Sequence, residues 1–334
     1  MRSDMNGGGM TTTGLGKRLA LGDPVLRELT ERLRTEEPEE IRQLRTGMLA
    51  HRAGSYGQYF TTWDLANGIL RDYSMNVYQW LRVAADESLT VEQVMTVLRT
   101  VDPIYSTYLG YSGFETLARA AERLLRRADH DRASLLAGLT DLTAYVNRLT
   151  AWSHHEFPWH LGGDRFRYPE DGMGAPACAY SPTAGGVTPA GQPQHRVRVR
   201  LRWEPPGLEA VGEIATDLNE ELTREFLASL PFTVLQDHAV VSGETMYAWT
   251  PLVSLASTPV TERICDAPVG RLRYSQATGN KLVVQYGPAN EPLRVPVLGQ
   301  VVPEDLEVLR KVGALVWEST FRSKEQVWLT VRGA

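Results

Sequence analysis

A carboxylate stands at the head of the segment VVSGETMYAWTP, Val240 to Pro251, which otherwise reads as an apolar and aromatic strand. An ionised carboxylate is costly to bury unpaired, so Glu244 is expected to be exposed, paired, or employed in proton transfer. The Ser242-Gly243 entry can present it at the edge of a pocket. There a moderately raised pKa would let one carboxylate take and return protons as a general acid–base. The competing reading is a salt-bridged strand end. Strand alternation puts Met246 on the side of Glu244 and Thr245, Tyr247 and Trp249 on the other, so one set can line a pocket while the other packs. Tyr247 and Trp249 are therefore candidate substrate contacts, with core or interface packing as the competing reading.

A second titratable cluster is WSHHEFPWH, Trp152 to His160. His155 and Glu156 are candidates for a second acid–base pair and Trp152 for a substrate contact, because histidine changes protonation near neutral pH. A structural helix terminus is the alternative. His154, His155, Glu156 and His160 do not have the His-Glu-x-x-His spacing of a zinc helix, and no metal is expected. Tyr105, Tyr108 and Tyr111 in IYSTYLGYSGF fall at helical spacing, where Tyr105 and Tyr108 either floor an aromatic pocket that stabilises a passing cation or form a packing stripe. Arg200 in RVRVRLR and Arg273 in GRLRYS can hold a carboxylate through bidentate bonds, although four arginines on one strand face also describe a solvated exterior.

The elements that must position these groups change character along the chain. From Asp23 to about Trp159 the apolar period is helical. SLTVEQVMTVLRT carries an N-cap at Thr90 with Gln93 three residues on, and Pro103 is expected beyond the end of that helix. SLLAGLTDLTAYVNRLTAW places Leu135, Leu139, Leu142, Val146 and Leu149 along one stripe. Residues 161–194 contain seven Gly and five Pro, a density that excludes regular elements and marks a boundary. Beyond it the period becomes two. HRVRVRLRWE alternates arginine with Val197, Val199, Leu201 and Trp203, and further strands are expected at VGRLRYS, KLVVQYG after a Gly279-Asn280 turn, ALVWEST and EQVWLTVR, with one short helix in NEELTREFLASLP. Many short strands with few helices read as a closed or nearly closed barrel.

The net charge of −5 argues against a general electrostatic hold on nucleic acid. No run of about 18 apolar residues and no signal-type leader is apparent, so a cytoplasmic protein without membrane contact is expected. Cys178 and Cys265 have neither metal nor redox spacing and read as two ordinary thiols.

Two stretches carry a family resemblance. SLPF, GETMYAW, PVGRLRYS, KLVVQYGP and VLGQV, in that order, resemble the cyclophilin-like barrels of a bacterial family. GQYFTTWDLANGILRDYSMNVYQWL, Gly57 to Leu81, resembles the helical domain of cucumopine synthase and related bacterial Pictet-Spengler enzymes. The resemblance implies an α+β protein: an N-terminal helical bundle (20–160), a Gly/Pro-rich linker (161–194) and a C-terminal cyclophilin-like β-barrel (195–334). It implies condensation of an aromatic amino acid with an aldehyde or 2-oxo acid to a cyclised, tetrahydro-β-carboline-type product of specialised metabolism. Arg- and Ala-rich composition hints at a high-GC bacterium and specialised metabolism, which tilts the amine towards tryptophan or a derivative; histidine with 2-oxoglutarate is the alternative within the family. A non-catalytic barrel that binds a small ligand or peptide is the alternative outside it. The arginine and Phe/Trp pocket of the prolyl isomerases is not recognisable here. No cofactor is called for, the expected partners are the small-molecule substrates, and homo-oligomerisation is left open.

Overall fold

The computed structural model describes residues 22–49, 54–128, 130–159 and 193–334. His160 and residues 161–192 of the expected linker lie outside the described residues. The architecture is the expected α+β one, a helical bundle followed by a nearly closed antiparallel barrel-like sheet.

Among the described residues seven helices come first: α1 (Pro24–Arg32), α2 (Glu39–Thr46), α3 (Tyr56–Phe60), α4 (Trp63–Ala85), α5 (Val91–Tyr111), α6 (Glu115–Arg126) and α7 (Arg132–Glu156). Their starts are written in the sequence. Asp23 accepts hydrogen bonds from the amides of Val25 and Leu26 ahead of Pro24, and Thr90 and Gln93 form a reciprocal capping box at α5. Pro103 does not end α5 as expected; the helix runs through it to Tyr111. The missing amide is outweighed by tertiary contacts on both sides of it, since Asp102 accepts a buried bond from Tyr73 Oη at 2.8 Å and Leu109 is fully buried.

Helix α7 is buried on nearly all sides, from Leu135 to His155. Such a helix must have partners all round. Its partners are α4 and the other bundle helices on one side and the sheet on the other, so α7 is the central post of the molecule.

The sheet contains β1 (Arg196–Glu204), β2 (Leu208–Ala215), β3 (Phe232–Leu235), β4 (Asp237–His238), β5 (Thr245–Trp249), β6 (Thr261–Arg263), β7 (Arg271–Ser275), β8 (Lys281–Gln285), β9 (Arg294–Val301) and β10 (Trp328–Gly333). Its order is β3-β10-β1-β2-β9-β7-β8-β5-β4, with β6 on β9. The two end strands, β3 and β4, are separated in sequence by Gln236 alone, which brings the ends of the sheet together. Inside, Val199, Leu201, Trp203, Met246, Ala248, Leu282 and Val284 pack into one core with α8 (Glu220–Ala228) and α9 (Leu306–Glu318).

Two expectations are corrected here. ALVWEST, expected as a strand, belongs to α9 and the turn after it, because Leu309, Val312 and Val316 recur at helical spacing and bury together. Cys265, expected as an ordinary thiol, is disulfide-bonded.

Candidate functional site

A cavity of about 170 Å³ lies between the bundle and the face of the β5–β8 pair that looks away from the barrel core. Strand alternation builds that face. Met246 and Ala248 point into the core, while Thr245, Tyr247 and Trp249 line the cavity. On β8 the cavity-facing residues are Lys281 and Val283, with Lys281 directly opposite Trp249 in the register. The bundle contributes Arg71 and Met75 from α4 and His154 from α7, and Trp159 closes one side. Of the two sets offered by the Glu244 strand, the aromatic one forms the pocket wall.

Helix α7 fixes this wall. The buried Arg148 guanidinium donates to the carbonyls of Trp249 and Thr250, holding the end of β5 against the helix. Burial pushes the pKa of Arg148 down to about 9. One turn and a half further on, His154 Nε2 donates to the His238 carbonyl at 3.0 Å, with the Tyr247 hydroxyl 3.1 Å away. Burial lowers the His154 pKa to about 4, so the ring is neutral, as a Nε2 proton directed at a carbonyl requires. Tyr247, Trp249 and Trp159 surround this imidazole at centroid distances of 5.3, 5.5 and 5.0 Å.

Three charged side chains enter the cavity. Lys281 Nζ sits 4.2 Å above the Tyr247 ring and 4.8 Å above that of Trp249. Burial, then the nearby Arg71 charge, bring its pKa down to about 7. Arg71 is exposed at the cavity rim. Glu291 is the one carboxylate among the described lining residues, and it accepts a hydrogen bond from Ser242 Oγ. The cavity thus holds an aromatic wall, a neutral imidazole, a carboxylate, an amine and a guanidinium. Among the described residues no group of three or more His, Cys, Asp or Glu could hold a metal ion.

Most residues singled out in the sequence lie elsewhere. Glu244 is exposed and borders a separate shallow groove with Tyr286, Arg310 and Trp317. His155 is fully buried behind the cavity wall, with Nδ1 2.8 Å from Asp237 Oδ1 and Nε2 3.2 Å from the Lys324 carbonyl. Both partners accept, so both nitrogens donate; burial opposes the charge, but the Asp237 carboxylate raises the His155 pKa overall. Lys324 Nζ in turn donates to the carbonyls of His155 and Phe157 at 2.7 and 2.6 Å, capping α7. Glu156 faces α2 and pairs with Arg45 at 3.3 Å, its pKa raised by burial.

Trp152 is buried and donates to the Leu33 carbonyl at 2.8 Å. Tyr105 packs on the bundle core, and Tyr108 stacks on Phe60 at 4.6 Å on the outer surface of the bundle. Arg200 lies on the exposed face of β1, paired with Glu209 at 2.7 Å. Arg273 is completely buried and donates to Gln285 Oε1 at 2.7 Å, and burial lowers its pKa to about 10. Only Tyr247 and Trp249 of the expected site residues line the cavity. Arg71, His154, Lys281 and Glu291 are the groups that join them. A lysine placed directly after a Gly-Asn turn and alternating with Val283 was the signal available for Lys281. Glu291, in a loop between strands, had none.

Fold and site together define a protein with a cavity between a helical bundle and an antiparallel barrel. Residues 24–156 match the family described as the cucumopine synthase C-terminal helical bundle domain. The family's description places the bundle at a C-terminus, whereas here it precedes the barrel. Among solved structures, McbB in complex with tryptophan is 29% identical over 40% of this chain and 44% of that one, with a TM-score of 0.38; this chain therefore spans less than half of McbB. The hypothetical protein AF2241 from Archaeoglobus fulgidus is 16% identical, covering 42% of this chain and 95% of that one, with a TM-score of 0.30. No curated protein matches the chain.

Proposed function

We propose that this protein is a Pictet-Spengler-type condensing enzyme that joins an aromatic amino acid, tryptophan or a derivative, to an aldehyde or 2-oxo acid in the cavity between bundle and barrel. The observation that carries the reading is the company kept by Glu291: among the described residues it is the single lining carboxylate, and it shares the cavity with an aromatic wall and two basic side chains.

The chemistry asks for each of these. The amine of the substrate must lose a proton before it attacks the carbonyl, water must be protonated as it leaves, and the ring carbon must lose a proton after closure. One carboxylate serves all three steps, and Glu291 is given that role in place of the exposed Glu244. Tyr247, Trp249 and the neutral His154 offer faces to an aromatic substrate and to the iminium cation. Arg71 at the rim suits the substrate carboxylate.

A second reading within the class, histidine with 2-oxoglutarate, is favoured by the match of the bundle to the cucumopine synthase family and by two basic groups for a dicarboxylate. Both readings are tested by incubating the protein with L-tryptophan or L-histidine and a panel of aldehydes and 2-oxo acids. A protein-dependent product at the summed mass less one water, with ring closure seen by NMR, names the pair. Absence of any product, with ligand-induced thermal stabilisation, would replace the enzyme by a binding module.

A further inference from the structure

We propose that Lys281 is a covalent catalyst that captures the carbonyl substrate as an imine on its Nζ before the amino acid arrives. The proposal rests on the ring-forming reading of the cavity and adds a chemical step to it.

Lys281 is placed by a turn that leaves it little freedom. Gly279 and Asn280 both have positive φ, 112° and 56°, and the hairpin they form lies against Trp249. The first residue of β8 is thereby pinned opposite Trp249, with its chain on the cavity face. Lys281 is partly buried, and an ammonium drawn out of water normally finds an anion. Lys281 Nζ makes no hydrogen bond or ion pair with any described residue and instead rests over two aromatic rings. The titratable and charged groups around it are Arg71 from α4, His154 from α7, Tyr247 on β5, Glu291 on its loop and, farther off, Asp237 on β4. An amine whose pKa stands near 7 is largely unprotonated just above neutrality, where an ordinary lysine is not.

The step balances without a further reagent. Nζ adds to the carbonyl carbon and a proton passes to the oxygen, giving a carbinolamine. Protonation of its hydroxyl by Glu291 releases water and leaves a protonated imine over the Tyr247 and Trp249 faces, which stabilise the cation. The substrate amine then adds to the same carbon, the C–Nζ bond breaks, and Lys281 departs as a free amine. The substrate iminium that remains is the species that closes the ring.

The test is reductive trapping. The chain has four lysines, Lys17, Lys281, Lys311 and Lys324, so the modified position is readily mapped. The full-length protein is treated with cyanoborohydride and either pyruvate or acetaldehyde, without amino acid, and digested for mass spectrometry. The expected result is a gain equal to the carbonyl compound less one oxygen atom, concentrated on Lys281, rising with pH through about 7, and absent from Lys281→Arg and Lys281→Met. Arginine retains the charge, so loss of turnover in Lys281→Arg by more than about tenfold separates the covalent role from a merely cationic one. Modification of Lys281 no faster than Lys311, in a preparation that still forms cyclised product, would overturn the proposal and leave the ring-forming reading standing. An adduct on Lys281 with no cyclised product from any pair would support the imine while removing that reading.

Discussion

Three buried histidines on the α7–β4 seam differ in charge, and each difference follows from what its nitrogens face. His154 and His238 donate to carbonyls, and burial holds both pKa values near 4. Unfolded, they would titrate near 6.5. Between about pH 6.5 and 4 the unfolded chain therefore binds protons that the folded chain refuses, and stability falls as pH falls, by on the order of 3 kcal/mol per histidine. His155, held by Asp237, has the opposite sign: its folded pKa is raised, so its contribution is present below pH 6.5 and is lost as pH rises through the folded value. Thermal melts from pH 7 to 4.5 should show a falling midpoint whose slope is shallower in His154→Gln. A midpoint indifferent to that substitution would mean that His154 is protonated in the fold.

At the scale of elements, the β7–β8 turn is the most constrained piece of the cavity. A Cβ at Gly279 would stand 2.6 Å from Trp249 Nε1, and φ of 112° is itself unfavourable for any other residue. Gly279→Ala should destabilise the protein by about 1–3 kcal/mol and displace Trp249 and Lys281; denaturant melts and Trp fluorescence report each effect. The elements also show what the sequence could convey. The capping box at Thr90, the stripe from Leu135 to Leu149 and the alternation of β1 are local patterns, and all three are in the structure. Pro103 and ALVWEST depart from expectation for one reason: a short apolar run or a lone proline is decided by what packs on it, and the Tyr73–Asp102 bond and the barrel-core face of α9 are tertiary facts. The site was less legible than the fold. Strand alternation correctly separated Tyr247 and Trp249 from Met246, but nothing local indicates that Glu291 and Arg71, 220 positions apart in the chain, border one cavity.

At the scale of the whole molecule, α7 joins the two halves. Arg148, His154, His155 and the Lys324 cap all cross from this helix to the barrel, so the cavity exists only where bundle and barrel meet. Replacing Asp237 by Ala leaves the doubly donating His155 without its anion, and a loss of about 3–5 kcal/mol is expected, as for breaking other buried pairs. Because the bond lies behind the cavity wall, any loss of ligand binding should follow the loss of folded protein, which parallel chemical melts and ligand titrations would reveal. No helix among the described residues is long and apolar enough to cross a membrane.

The proposed proton transfer takes place at Glu291, inside the cavity, and not at Glu244 on the outer groove. The direct measurement is turnover of Glu291→Gln and Glu244→Gln with the amine and carbonyl pair that the wild-type protein cyclises, both variants being checked for folding by circular dichroism. Glu291→Gln is expected to lower kcat by about 10²–10⁴-fold, the range for loss of a general acid–base, while Glu244→Gln stays close to wild type. A large loss in Glu244→Gln with Glu291→Gln unaffected would contradict it and move the site to the groove beside Tyr286 and Trp317.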